Sequence, residues 1–390
     1  MKFFIRALFT VFFGLSLVPS QAQEKIKISH QPYLQALTDS TVSIIWTSNK
    51  PAIGWVELAP DDGTHFYQKS REKVFAQQYG FKMVGNVHQV NIKGLKPGTN
   101  YRYRVYNQEV LKHEGVLVQY GDFAATNVYR QEPLKFKTPG DNPTVSFAVV
   151  NDIHGKNEVL SKLIKQVDLN KTDFIVFNGD MVDNLLSEDQ MFAGFMDTAI
   201  RLFASEKPMY YSRGNHETRG PFATAYPKYF PTNTGELYYM FNYGEACFVV
   251  LDCGEDKPDS DIEYSGIVDM DYYRTQQAKW LQEAVSSPQY VNAKYKIIIC
   301  HMPPFTSWHG MQDIRTKFVP ILNNAGAQIM LSGHLHKHII QQADQDVKFP
   351  VLVNSNVNMI QVNLSDKEGS FKVYSQEGKL VDEVKINPLK

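Results

Sequence analysis

This sequence has few cysteines and almost no net charge. Its 390 residues include three cysteines, and 40 basic residues against 41 acidic ones leave a net charge of −1. Three cysteines that border apolar runs are a poor disulfide framework, so we expect buried free thiols. Balanced charge gives no bulk attraction for nucleic acid or an anionic membrane surface. The length exceeds what one hydrophobic core usually supports, which predicts two domains.

An apolar run long enough to span a bilayer is also missing. The first apolar run, residues 7–18, follows Lys2 and Arg6 and precedes the small-residue stretch that ends at Ala22. This order is typical of a secretory signal, so we predict that residues 1–22 are a cleaved signal peptide. The alternative is a membrane anchor, which needs about 20 apolar residues. We therefore expect an exported protein, secreted or in a bacterial periplasm, without a transmembrane segment after cleavage.

Residues 26–138 have the pattern of an all-β domain. The stretches "TVSIIW", "NVHQVNI" and "YRYRVY" alternate apolar and polar residues, and the turn-forming "GLKPGTNY" separates the last two. The stretch from Leu95 to Tyr101 resembles the E–F corner of fibronectin type III domains, where a tyrosine hydroxyl bonds to the backbone. We predict a fibronectin III-like β-sandwich over 26–138, with "KFKTPGDNP" as its exit strand and linker.

From residue 144 the pattern changes to apolar strands that alternate with helices. "VSFAVV" precedes the amphipathic "NEVLSKLIKQV", and further strand-like runs are "DFIVFN", "PMYYSR", "CFVVLD", "KYKIIIC" and "AQIMLS". This alternation predicts an α/β domain over 144–390, with layered sheets flanked by helices.

Polar side chains able to bind metal follow five of these strands. They are Asp152 and His154; Asp180 and Asp183; Asn215, His216 and Glu217; His301; and His334 and His336. A single D-x-H or H-x-H pair is weak evidence for a metal site, because a D-x-H pair mostly arises by chance and an H-x-H pair more often lies on a surface strand. However, five of the seven histidines after residue 150 lie in these loops. Ligands of open α/β sheets bind beyond the carboxyl ends of strands, so we expect the loops to meet.

The residue types indicate the kind of metal site. Carboxylates, an amide and imidazoles without cysteine suit Mn, Fe or Zn in a catalytic role, and not Ca or a structural zinc. Even seven of these side chains are too many ligands for one ion, whereas two ions that share a carboxylate would use seven. Two ions about 3.5–4 Å apart are the usual arrangement for displacement at phosphorus. We therefore predict two divalent ions and a small phosphate-ester substrate.

The blocks "DIHG", "GDMVDN", "GNHE", "ICH" and "GHLH" resemble, in order, the signature of the calcineurin-like metallophosphoesterases. The preceding sandwich is similar to the N-terminal domain of purple acid phosphatases. The resemblance implies a bridging role for Asp180. It implies one metal held by Asp152, His154, Asp180 and His336, and a second held by Asp180, Asn215, His301 and His334.

The resemblance also implies catalytic roles and shows departures. His216 would contact phosphate or act as general acid, and Asp183 would orient it. Purple acid phosphatases have a metal-binding tyrosine at the place of Asp183 and lack the histidine at His154, so the charge-transfer colour should be absent. Protein phosphatases of this superfamily carry an arginine where Asn184 stands, which argues against a phosphoprotein phosphatase.

The main prediction is an exported phosphomonoesterase in which a hydroxide held between two ions attacks phosphorus and His216 protonates the leaving group. One alternative is a phosphodiesterase acting on nucleotide or lipid head-group diesters, and another is a non-catalytic surface binding protein. Arg213 and His309 are candidate substrate contacts. A buried ion pair is the alternative for Arg213, and a surface position is the alternative for His309.

Overall fold

The computed structural model describes residues 24–140 and 144–390. The predicted signal peptide, residues 1–22, lies outside these ranges. The three cysteines are free and buried, as expected.

The N-terminal part is a seven-stranded antiparallel sheet with a hydrophobic core of its own. Its central order is β1-β2-β7-β8, while β3 and β6 also pair with β2, and β9 pairs with β7. The two strands β4 and β5 form a separate small hairpin. The strands are β1 (Ile28–Gln35), β2 (Thr41–Pro60), β3 (Lys73–Phe75), β4 (Gln77–Gln78), β5 (Phe81–Lys82), β6 (Val84–Lys93), β7 (Asn100–Glu114), β8 (Leu117–Ala125) and β9 (Leu134–Lys137).

Alternation along β2 builds this core, because Val42, Ile44 and Trp46 point inward together. The predicted tyrosine corner is present. The hydroxyl of Tyr101 accepts a hydrogen bond from the backbone N–H of Lys96 at 2.9 Å.

The C-terminal part contains two six-stranded sheets with helices on their outer faces. One sheet has the order β12-β11-β10-β19-β20-β21, and the other β13-β14-β15-β16-β18-β17. The strands are β10 (Val145–Val150), β11 (Phe174–Asn178), β12 (Met209–Ser212), β13 (Tyr239–Tyr243), β14 (Ala246–Leu251), β15 (Tyr295–Cys300), β16 (Ile329–Ser332), β17 (Ile339–Gln341), β18 (Val351–Val353), β19 (Asn358–Leu364), β20 (Gly369–Ser375) and β21 (Leu380–Ile386).

The helices are α1 (Asn157–Ile164), α2 (Glu188–Met191), α3 (Asp197–Ala199), α4 (Met270–Ala284), α5 (Pro288–Val291), α6 (His309–Lys317) and α7 (Val319–Ala325). Two π-helical stretches, Phe192–Met196 and Ile200–Ala204, continue α2 and α3. Short 3₁₀ turns cover His216–Thr218, Ala223–Lys228 and Ile262–Tyr264.

The two sheets face each other across an aromatic and aliphatic core that includes Phe147, Phe174, Phe248 and Ile297. Both faces of β10 and β15 are covered, which explains why their sequences are nearly continuous apolar runs. The predicted fold class, a sheet-rich domain followed by a layered α/β domain, is confirmed.

Parallel pairing fixes where the polar loops emerge. Strands β10, β11 and β12 are parallel neighbours in one sheet, and β15 and β16 are parallel neighbours in the other. Their carboxyl ends therefore lie at one edge of the molecule. Backbone hydrogen bonds join the loops there, from Asp152 N to the Gly179 carbonyl at 2.9 Å and from Gly333 N to the His301 carbonyl at 2.8 Å.

Candidate metal centre

The loops after the five strands bring candidate ligands within coordination reach of each other. Ligand atoms of Asp152, His154 and His336 lie within 4.8 Å of one another, as do those of Asp180, His301 and His334. A third such group consists of His154, Asp180 and His216. Asp180 belongs to two groups, so its carboxylate lies where two ions could share it.

The seventh candidate, Asn215, lies beside the second group. Its side chain is buried, and its Oδ1 lies 3.0 Å from Nδ1 of His334. The structure thus places all seven sequence-predicted ligands in one cluster.

The backbone at this cluster is strained. Asp152, His154, Asp180, His334 and His336 all have positive φ, between 49° and 69°. They are five of the eight non-glycine residues with positive φ in the described part of the chain. A left-handed conformation is unfavourable for residues with a Cβ, and such strain concentrates at functional sites. The fold therefore holds these side chains in place at an energetic cost.

Glycines make room for the candidate ligands. A Cβ on Gly179 would lie 2.4 Å from Nδ1 of His301, and one on Gly214 would lie 2.2 Å from Oδ1 of Asp180. Real Cβ atoms do not approach other atoms so closely. These positions require glycine because the carboxylate and imidazole occupy the space that a side chain would fill.

Hydrogen bonds turn the metal-binding nitrogens toward the centre. Nδ1 of His301 lies 2.7 Å from the carbonyl of Asn178, to which it donates, so that Nε2 faces Asp180 at 3.0 Å. Nδ1 of His154 lies 2.7 Å from the Asp183 carboxylate, and its Nε2 lies 3.1 Å from Nε2 of His336. Two ring nitrogens at that distance need a proton or a cation between them. Histidines that bind metal are commonly oriented in this way.

Electrostatics also favour a cation here. Burial opposes charge on His301, but the Asp180 and Asp152 carboxylates outweigh it and raise the pKa of His301 to about 10. Burial and the neighbouring His301 lower the pKa of His334 to about 4. Burial would raise the pKa of Asp180, yet His301 and His216 bring it below its usual range. Oδ1 of Asp152 is buried without a hydrogen bond to any described residue. The donor set fits bound divalent cations.

Glu217 is fully buried and binds the backbone of the loops that carry candidate ligands. Its carboxylate accepts hydrogen bonds from the backbone N–H groups of Asp180 at 2.9 Å, Met181 at 2.7 Å and Gly214 at 3.0 Å. It also accepts the Tyr211 hydroxyl at 2.8 Å. Burial and the Asp180 charge raise the pKa of Glu217. With these bonds it fixes the loop that carries the shared carboxylate.

The carboxylate and the backbone carbonyl of Asp183 contact two different histidines. The carboxylate accepts a hydrogen bond from Nδ1 of His154. Nδ1 of His216 instead donates a hydrogen bond to the backbone carbonyl of Asp183 at 2.8 Å. The backbone N–H of His216 donates to Oδ1 of Asp180 at 3.0 Å. Asp183 therefore contacts His216 through its main-chain carbonyl, while its carboxylate contacts His154.

The two candidate substrate contacts lie differently. Nε of Arg213 lies 2.9 Å from the buried carboxylate of Asp252, which corresponds to the ion-pair alternative. Nε2 of His309 lies 2.7 Å from Asp271 at the start of α4. Its neighbour Trp308 lies edge-on against His334, with 5.5 Å between ring centroids. Sequence reasoning did not assign Trp308 a contact, although a tryptophan at the end of the loop "HMPPFTSW" was the available signal.

Comparison with known proteins agrees with this geometry. Residues 145–338 match the calcineurin-like phosphoesterase family, and residues 30–120 match the purple acid phosphatase N-terminal domain. The chain contains a calcineurin-like phosphoesterase domain. Residues 145–338 therefore form a metal-dependent phosphoesterase domain, and that family prediction is confirmed.

Two curated relatives of this chain come from one plant. Purple acid phosphatase 18 of Arabidopsis thaliana is 21% identical over 334 residues, which cover 81% of this chain and 67% of the relative. Purple acid phosphatase 21 of the same plant is 22% identical over 275 residues, which cover 67% of this chain and 54% of the relative. The chain thus spans between about half and two thirds of their lengths.

A solved purple acid phosphatase from yellow lupin (Lupinus luteus) seeds aligns with a TM-score of 0.67 at 14% identity. The alignment covers 91% of this chain and 74% of that one. At this identity the likeness concerns the fold.

Proposed function

We propose that this protein is an exported phosphomonoesterase that uses two divalent metal ions. The observation that carries the proposal is the convergence of seven candidate ligands around the shared carboxylate of Asp180. Asp152, His154, Asp180 and His336 would hold one ion, and Asp180, Asn215, His301 and His334 would hold the other. When bound, such ions neutralise phosphoryl oxygens and lower the pKa of a coordinated water. The ligand set suits Mn, Fe and Zn alike.

His216 is the proposed general acid. Because Nδ1 donates to the Asp183 carbonyl, Nε2 remains for the substrate, 3.9 Å from Oδ2 of Asp180. The side chain is 26% exposed, so a leaving oxygen can reach it from solvent. An imidazole near neutral pH can give a proton to a departing alkoxide.

Asp183 has a separate proposed role at His154. A carboxylate that accepts Nδ1–H fixes the tautomer in which Nε2 can bind metal. The chemistry would then involve His216 for the proton and Asp183 for positioning both histidines, one by its carboxylate and one by its carbonyl.

The choice of monoester follows from the relatives, which are named phosphatases. A phosphodiesterase is the alternative, since metal ligands of this kind serve both reactions. The non-catalytic alternative is disfavoured because a scaffold under no demand for chemistry would not be expected to keep seven candidate ligands together, five of them in a strained backbone conformation. Neither Arg213 nor His309 is needed as a substrate contact, since each has an acidic partner.

Export is proposed from the sequence of residues 1–22. Among the residues that the structure describes, no helix has the length and apolarity needed to cross a bilayer.

Purified residues 24–390 with Mn²⁺ test the proposal on p-nitrophenyl phosphate and bis-p-nitrophenyl phosphate side by side. We expect a clear preference for the monoester, and loss of turnover in Asp180→Asn. A preference for the diester would move the assignment to phosphodiesterase. Absence of turnover on both esters with metal bound would favour the binding-protein alternative.

A further inference from the structure

A cleft of about 810 Å³ is lined by residues of the two loops that carry Asp183 and His216, although neither of these two residues lines it. Its lining includes Asn184, in the loop after β11, and Thr218, two residues after His216. The Thr218 hydroxyl lies 2.7 Å from the carbonyl of the candidate ligand Asn215 and also contacts the Glu255 carboxylate in the wall of the cleft. The cleft is therefore attached to the same loop that positions the proposed general acid.

Most of the lining is apolar. One wall of the cleft comes from the segment between β14 and α4, and its Ile267 side chain is 88% exposed. The main apolar contributors are Pro221, Tyr264, Ile267, Val268, Met270 and Tyr273. Apolar side chains that line an open cleft next to a reaction centre are a common way to bind the non-reacting part of a substrate.

The charges of the lining disfavour an anion. Its only two cations are already paired, with Arg213 Nε 2.9 Å from Asp252 and Arg219 3.0 Å from Glu255. The lining carboxylates are Glu255, which is the partner of Arg219, Glu263, which pairs with Lys257, and Asp269. A second phosphate or carboxylate on the leaving group would find no unpaired cation in the lining, so its desolvation would cost binding energy without compensation.

We propose that this cleft binds the leaving group of the substrate, and that this group is a neutral apolar alcohol, alkyl or aryl. The inference rests on the proposed phosphomonoesterase function. Binding energy from a remote part of the substrate raises kcat/KM when the transition state keeps it. Each buried methylene raises kcat/KM about fourfold.

The test compares kcat/KM for ethyl phosphate and hexyl phosphate in the presence of Mn²⁺. The two alcohols ionise alike, so the chemical step is matched and only the alkyl length differs. We expect hexyl phosphate to be favoured at least about tenfold by burial of its extra methylenes. Val268→Asp should remove most of this preference, measured as the ratio of kcat/KM for hexyl phosphate to kcat/KM for ethyl phosphate. Ile262→Asp is the matched control, because Ile262 is 93% exposed on the same segment but outside the lining, and the ratio should remain.

Equal turnover of both esters, unchanged in Val268→Asp, would overturn the cleft assignment and leave the phosphomonoesterase proposal standing. Preference for choline phosphate over hexyl phosphate would also overturn it, because the acidic wall would then select a cation. If no ester is hydrolysed, the proposed function fails, and calorimetric binding of hexyl phosphate decides the cleft separately. Tighter binding of hexyl phosphate to wild type than to Val268→Asp would support the cleft assignment, and equal binding would refute it.

Discussion

Glu217 offers the sharpest test of how the centre is held. Its carboxylate accepts the N–H groups of Asp180 and Gly214 on Oε2, and the N–H of Met181 and the hydroxyl of Tyr211 on Oε1. In Glu217→Gln the amide nitrogen fits best at the Oε1 position, where the tyrosine hydroxyl can rotate to accept from it. The Met181 N–H is then buried without a partner. A buried unsatisfied donor costs about 1–3 kcal/mol of unfolding free energy.

A second effect concerns metal affinity. Because the lost bond to the Met181 N–H lies directly after Asp180 in the same loop, its loss should weaken metal binding about 10- to 100-fold, as is usual for groups that orient ligands. Tyr211→Phe is the matched control. It removes one bond to the same carboxylate and none from the Asp180 loop, so it should cost about 1 kcal/mol and leave metal affinity unchanged.

Urea unfolding and Mn²⁺ titration measure the two effects. The reasoning predicts lower stability and weaker Mn²⁺ binding for Glu217→Gln than for Tyr211→Phe. If both variants match wild type in Mn²⁺ affinity, the Glu217 network does not position the centre.

Three further predictions concern the acid, the cofactor and pH. His216→Ala should lose about 10²- to 10⁴-fold in kcat on alkyl phosphates and little on p-nitrophenyl phosphate, whereas equal losses would mean a binding role. Iron-loaded protein should lack a visible charge-transfer band because Asp183 stands where a tyrosinate ligand would be needed, and a purple sample would contradict this. Burial lowers the pKa of His88 in the sandwich from 6.5 to about 4. Its contribution to stability is therefore present above pH 6.5 and is lost, by at most about 3 kcal/mol, as the pH falls to 4. His88→Gln should flatten this difference in urea unfolding between pH 7 and pH 4.5, and an unchanged slope would refute it.

The candidate ligands could be predicted from sequence because strand ends are visible in it. Apolar runs such as "VSFAVV" mark buried strands, and parallel pairing brings their carboxyl ends together, so Asp152 and His301 were predicted neighbours although 149 positions separate them. The tyrosine corner at Tyr101 followed from a local pattern in the same way.

Side-chain partners could not be predicted where they depend on loop conformation. Asp180 has φ of 54°, and this turn sends the Asp183 carboxylate to His154 and its carbonyl to His216. The partner of Arg213 is Asp252, which directly follows β14 in the other sheet, and no sequence spacing reveals this pair. Pairing of the last strands, β19 to β21, beside β10 likewise depends on tertiary contacts between distant segments.

Metal stoichiometry tests the central claim most directly. Purified protein, stripped and reloaded with Mn²⁺, would be analysed by elemental mass spectrometry together with Asp180→Asn. We expect two ions per wild-type chain and at most one in the variant, because the shared carboxylate is lost. One ion or none in wild type, or two retained in Asp180→Asn, would contradict a dimetal centre bridged by Asp180.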